Sequence, residues 1–249
     1  MTADISSQSS GNLLFRVLSY NIHRGIGFSR RKNIARIAAI IRDINPDIVA
    51  LQEVENIPTG SPDSEQLAFL AAQTGLKAIP GPTLLSRKGD YGNAVLSRVP
   101  VQEVRRHDIS YSGKEPRGLI DIELAPDWGH LRILATHLGL KADERRYQAN
   151  LLESILSGSK TKPVILMGDM NEWMPTGRST RFLQNFFGRS PFLRTFPALL
   201  PIFALDRIFV SPNNIMLNLQ TVTSFQARIA SDHLPILATI KISPHKNTI

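Results

Sequence analysis

The chain reads as an α/β protein: two mixed β-sheets packed face to face, with helices on their outer sides. Three observations carry that reading. Roughly ten strand-like runs occur, more than one flat sheet holds comfortably. Several of them, such as Asp47 to Leu51 and Val164 to Met167, are apolar without alternation, as strands buried on both faces are. Helical segments alternate with the strands, as they do when helices cover a layered sheet.

The elements follow in order. Leu13 to Tyr20 is apolar and β-prone, and Asn21 closes it. Arg31 to Ile44 sets Ile34, Ile37, Ala38 and Ile41 at helical spacing, and Pro46 stops the helix. Asp47 to Leu51 is a buried strand leading into Gln52 and Glu53. Ser64 to Thr74 is a second helix, capped by Ser64 and ended by Gly75. Gly92 to Ser97, Gly118 to Leu124 and Leu131 to His137 are strands. Asp143 to Leu156 is a helix with Tyr147, Leu151 and Ile155 on one face. Val164 to Met167 is a strand ending at Gly168-Asp169, and Arg178 to Phe187 a short helix. Residues 188–204, rich in Pro and Phe, form a long loop. Leu205 to Val210, Leu217 to Phe225 and Leu234 to Ile242 complete the strands.

The domain organisation expected is a disordered polar leader over 1–11, one domain over 12–244 and a short tail over 245–249. A hydrophobic content of 42% over 249 residues suits one such core. The absence of cysteine excludes a disulfide framework and any thiolate metal site, so a bound metal would need oxygen or imidazole ligands. A net charge of +8 favours polyanionic partners: nucleic acid, an anionic lipid surface or a phosphorylated small molecule. The sequence has no apolar run long enough to span a bilayer, and its N-terminus lacks a signal-peptide core. Cytoplasmic residence is expected, with a peripheral membrane association as the variant. A monomer is expected.

Function is read from polar residues at the ends of apolar runs. Asn21, Glu53, His137, Asp169, Asn171, Asp206 and the pair Asp232-His233 all occupy such positions. A carboxylate there must be hydrogen-bonded, paired or bound to a cation. A hard divalent ion takes one or two carboxylates and completes its shell with water and substrate phosphate. An Asp beside a His fixes its tautomer and raises its basicity. Taken singly, each residue reads more readily as a cap or turn. Together, at the ends of different strands, they suggest one shared site.

Seven segments also resemble, in order, the endonuclease/exonuclease/phosphatase superfamily: Ser19-Tyr20-Asn21-Ile22, Leu51-Gln52-Glu53-Val54, Gly92 to Ser97, Thr136-His137-Leu138, Gly168-Asp169-Met170-Asn171, Leu205 to Val210, and Ser231-Asp232-His233-Leu234-Pro235. They span residues 13–242. Tyr20 to Gly25, Gly168 to Trp173, and Thr195-Phe196-Pro197 through Leu205-Asp206-Arg207 further resemble a bacterial subgroup of uncharacterised members.

The resemblance implies a four-layered α/β/β/α sandwich and phosphoester hydrolysis with magnesium, manganese being a substitute. Glu53 would be the main metal ligand, with Asn21 and Asp232 near it. Asp169 and Asn171 would position the attacking water and the phosphate. His233, oriented by Asp232, would be general base or phosphate-binding acid. His137 would contact non-bridging oxygens, and Asp206 would support His137 or the leaving group. Asn93, Arg117, Arg145 and Arg207 are the residues expected to bind substrate, Arg207 standing where many members carry Tyr. The substrate class stays open between nucleic acid, a phospholipid headgroup and a soluble phosphate ester. The alternative is an inactive phosphate- or membrane-binding module on the same scaffold.

Overall fold

The computed structural model describes residues 13–124, 130–157, 163–174 and 177–242. The expected leader and tail lie outside the described residues. Strands β1 (Leu13–Asn21), β2 (Ile48–Asn56), β3 (Lys77–Ser86), β4 (Gly89–Ser97), β10 (Met216–Thr221) and β11 (Ile236–Ile242) form one sheet of order β10-β11-β1-β2-β4-β3. Strands β5 (Val101–Asp108), β6 (Gly118–Leu124), β7 (Leu131–His137), β8 (Val164–Asp169) and β9 (Asp206–Ser211) form the second, in sequential order.

The two sheets meet through one face of each. Val17, Ile48 and Val95 of the first pack with Ile122, Ile133 and Ile165 of the second. The helices α1 (Ile34–Ile44), α2 (Gln66–Thr74) and α5 (Phe225–Ala230) cover the outer side of the first sheet, through Ile37, Leu70 and Ala227. The helices α3 (Ala142–Leu156) and α4 (Arg178–Phe187) cover the second, placing Leu152 and Leu183 against Leu134 and Leu166. The result is the four-layered sandwich.

Several expectations change in detail. β3 carries Pro80 and Pro82, which a central strand excludes; it is an edge strand, where a missing N–H costs no ladder bond. β5 is also an edge and is largely charged, so it lacks the apolar alternation of a covered strand. The strand expected over Leu217 to Phe225 ends at Thr221, and α5 starts at Phe225 because the Ser224 side chain accepts the Ala227 N–H at 3.2 Å. Helix α2 is not capped by Ser64: it begins at Gln66, and its N-cap, Glu65, makes no side-chain capping bond. Helix α3 buries Arg145, Gln148, Ala149 and Leu152, while Tyr147 is exposed. Its inward face is polar because Gln148 and Arg145 bond the 139–141 turn.

Candidate active site at the end of the sandwich

In β7, β8 and β9 the residues facing the other sheet alternate with those facing the helices. Ile133, Ala135, Ile165, Met167, Ile208 and Val210 face inward. Extending each strand by period two puts His137, Asp169 and Asp206 on that same inward face, just past the apolar core. Strand register then lines them up, with His137 opposite Asp169 and Asp169 opposite Asp206. Gly168 makes the alignment attainable. Its φ is +151°, and a Cβ there would stand 1.8 Å from the Thr136 carbonyl oxygen.

The first sheet supplies the rest. Asn21 ends β1 in the inward phase of Val17. Glu53 would point outward with Val49 and Leu51, but a bulge in β2 between Leu51 and Val54 breaks the phase. Glu53 sits in that bulge with φ +59°, a conformation a glutamate holds only when its surroundings fix it. Its side chain accordingly turns to the cavity, where Asn21 Nδ2 donates to Glu53 Oε1 and to Asp169 Oδ2, both at 3.1 Å. One amide thus joins carboxylates from both sheets.

Asp169 is the centre of the cluster. Its Oδ1 accepts the Asn171 N–H at 2.8 Å. Its Oδ2 lies 3.4 Å from His137 Nε2 and 3.7 Å from His233 Nε2. His233 arrives on the turn before β11, where the Ser231 hydroxyl donates to the Asn21 carbonyl at 2.8 Å. His233 Nδ1 is 2.8 Å from Asp206 Oδ2. The orienting carboxylate is therefore Asp206, which corrects the expectations that Asp232 orients His233 and that Asp206 supports His137. Asp232 lines an adjacent cleft, its Oδ1 3.5 Å from His23 Nδ1.

The two imidazoles are driven in opposite directions. For His233, burial disfavours the cation, but Asp206 and Asp169 outweigh it and push the pKa up to about 10. For His137, burial dominates; the Arg117 and His233 charges add to it, and Asp169 offsets only part, leaving a pKa of about 3. At neutral pH the cavity holds one imidazolium and one neutral imidazole. Burial also raises the Tyr91 hydroxyl, with the Glu53 charge adding to the rise.

The cavity has a volume of about 300 Å³. Its lining combines Glu53, Tyr91, Glu115 and Arg117 with the apolar Leu140, Trp173, Phe196 and Leu205, and with His137, Asp169, Asn171 and His233. A larger groove, about 470 Å³, lies beyond Arg117, but Asp108 is the one carboxylate in its lining, so size does not locate the chemistry.

Of the residues expected to bind substrate, Arg117 reaches the cavity, its Nη1 3.4 Å from His137 Nδ1. Arg207 does not. It follows Asp206, so its side chain takes the opposite face of β9, where it stacks 3.9 Å over Phe192 and donates to the Pro191 carbonyl. Arg145 is buried and committed to the Gly139 and Leu140 carbonyls and to Glu172. Asn93 is buried between the sheets and donates to the Gly118 carbonyl, outside the cavity lining. Sequence reasoning missed Tyr91, Glu115, Leu140, Trp173 and Phe196. Trp173 stands two residues after Asn171 and Tyr91 next to Gly92, so adjacency to recognised segments was the available signal.

Two sets of hard donors fit a divalent cation. Glu53 and Asp169, held together by Asn21, form one. Asp169, Asp206 and His233 form the other, with donor atoms within 4.8 Å of one another. Asp206 Oδ1 is buried with no hydrogen-bond partner among the described residues, an acceptor left over for a cation or water.

The family model described as the endonuclease/exonuclease/phosphatase family matches residues 18–233. The chain is 32% identical to a protein of Escherichia coli K12 described as uncharacterized protein YbhP, over 92% of this chain and 96% of that one. Among solved structures it resembles an endonuclease/exonuclease/phosphatase of Beutenbergia cavernae, with TM-score 0.72, 22% identity, and 92% and 72% of the two chains covered. It also resembles a mannosyl-6-phosphatase of Bacteroides thetaiotaomicron, with TM-score 0.71, 20% identity, and 91% and 99% covered. At these identities the structural likenesses establish the fold.

Proposed function

The chain belongs to the endonuclease/exonuclease/phosphatase family, and from that premise we propose that it hydrolyses phosphoesters with a divalent metal, magnesium or manganese. One observation carries the reading: a single amide, Asn21, clamps Glu53 to Asp169 beside the His233–Asp206 pair, inside one cavity. Carboxylates brought this close repel unless a cation or proton lies between them. Glu53 and Asp169 would hold the metal, which when bound supplies positive charge to the phosphoryl oxygens.

The chain's own residues supply the remainder. The His233 imidazolium donates from Nε2 toward a phosphoryl oxygen, a donor or acid rather than a base in the state the cavity imposes. Arg117 adds a cationic donor at the same opening, while the Asn171 amide is held by the Leu138 carbonyl and His137. Asp169, fixed from both sides, orients the attacking water, whose proton passes to solvent. His137, neutral, has one acceptor nitrogen, which faces the Asn171 amide at 3.0 Å in one tautomer or Arg117 at 3.4 Å in the other. The wall of Trp173, Phe196 and Leu140 suits a phosphoester with an apolar leaving group.

The test is hydrolysis of p-nitrophenyl phosphate and bis-p-nitrophenyl phosphate with magnesium, with manganese and with EDTA, in the wild type and in Asp169→Asn and His233→Ala. Metal-dependent turnover falling by about 10³-fold or more in each variant is expected. No metal-dependent turnover above His233→Ala on either ester would overturn the reading.

A further inference from the structure

Three separate segments that meet at a cleft near the cavity carry exposed apolar side chains. The loop 195–203 is closed at its root, where Thr195 and Phe196 N–H donate to the Phe203 carbonyl and Phe203 N–H returns to Phe196. Its root faces the chemistry, the Phe196 ring lying 4.9 Å from the His233 ring. Its tip faces solvent, with Leu200 74% exposed and Leu199 and Ile202 also exposed. Beside it stand Phe28, 68% exposed, and Phe225 at the start of α5, 72% exposed.

These segments are tied to one another. Phe28 N–H donates to the Ile229 carbonyl, and Ala198 N–H to the Asp232 carbonyl. Arg228 donates to the Ala198 and Leu199 carbonyls and sits one helical turn after Phe225, on the same face. Phe28, Arg30, Leu199 and Arg228 line one cleft of about 240 Å³, which also holds the His23–Asp232 pair. Chain neighbours line the two: Pro197 and Asp232 line that cleft, Phe196 and His233 the cavity.

Exposed apolar clusters of this kind mark interaction surfaces. The occupant is set by chemistry. Apolar tips projecting singly from loops find no partner in a polyphosphate backbone, but they insert into the acyl boundary of a bilayer. Arg30 and Arg228 stand among them, on a chain of net charge +8, which matches anionic headgroups. No helix among the described residues is long and apolar enough to cross a membrane, so the contact is at the surface.

We infer that Phe28, the 195–203 loop and the start of α5 dock the chain on a bilayer rich in anionic phospholipid, with the catalytic cavity facing the headgroups. Docking is independent of turnover and is read without it. The full chain is sedimented at low salt with vesicles of phosphatidylcholine alone or mixed with phosphatidylglycerol. Binding to the mixed vesicles is expected, falling roughly tenfold or more in Leu200→Asp/Ile202→Asp and several-fold in Arg30→Glu. Turnover of a soluble ester and the thermal melt should be unchanged in the double variant, since both leucine-type side chains lie in solvent. Phe28→Ser/Phe225→Ser gives the same reading from the other two segments. Wild type that stays in the supernatant overturns the inference. So does binding that survives both double variants, which would make it general electrostatics. A wild-type dimer that dissociates in the double variants, without vesicle binding, would assign the surface to a second copy instead.

Discussion

His233 and Asp206 are coupled through 2.8 Å, and that pair has a measurable signature. The folded His233 pKa, about 10, lies above the ordinary value of 6.5. A raised imidazole contributes stability that is fully present below about pH 6.5 and lost as pH climbs through 10. Metal-free protein is therefore expected to lose urea resistance between those limits, and Asp206→Asn to flatten the loss. An unchanged slope in the variant would show that another group carries it. The same pair shows what adjacency in sequence hides. Asp232 is the covalent neighbour of His233 but pairs with His23, while Asp206, 27 positions before His233, arrives through strand register. That a site carboxylate was needed was legible; which one required knowing that β9 lies beside β8. Alternation along β9 sets Asp206 and Arg207 on opposite faces, so the expectation that both serve the site could not hold.

Strand ends were readable because apolar runs end where the inter-sheet core ends, and the polar residues that follow inherit the inward phase. Glu53 was readable by position alone; the bulge that turns it inward left no mark in the composition. β3 and β5 were unreadable because edges tolerate proline and charge, the residues that elsewhere argue against a strand. Register at Gly168 is the element on which the site depends most. Gly168→Ala would drive a methyl into the Thr136 carbonyl, forcing β7 and β8 apart where His137 faces Asp169. A loss of about 2–4 kcal/mol in urea unfolding is expected, with turnover lowered further in whatever remains folded. Near-wild-type stability would mean that β8 shifts without cost. On β6, the wholly buried Asp121 accepts from Arg132 and Arg105 and lies 3.1 Å from His107. Burial raises its carboxyl, but those three partners override it and hold it well below the usual range. Its contribution is thus present above the ordinary carboxylate pKa and lost as pH falls through the folded one. Asp121→Asn should cost about 3 kcal/mol at neutral pH in urea unfolding, because Arg132 and Arg105 lose the buried carboxylate they share and keep Glu123 and Glu103, which are more exposed.

Across the molecule, Glu53 and Asn21 come from one sheet and Asp169, Asp206 and His137 from the other, so the site is also the seam between the layers. A cation held by Glu53 and Asp169 would cross-link the two sheets, and that link can be read in global stability without any substrate. Binding to the folded state alone raises unfolding free energy by about 2.7 kcal/mol when the free metal is 100 times its dissociation constant. Magnesium or manganese should accordingly raise the midpoint of thermal unfolding of the wild type. Glu53→Gln, which keeps the shape and removes one charge, should abolish most of that gain while changing the metal-free midpoint little, because Asn21 can still donate to the amide oxygen. Asp206→Asn separates the two donor sets. If it leaves the gain intact, the metal belongs to the Glu53–Asp169 pair; if it removes the gain while Glu53→Gln does not, the ion sits on Asp169 and Asp206 within the second sheet, and the seam has no metal bridge. Equal midpoints with and without metal in the wild type would remove the cation from this site altogether.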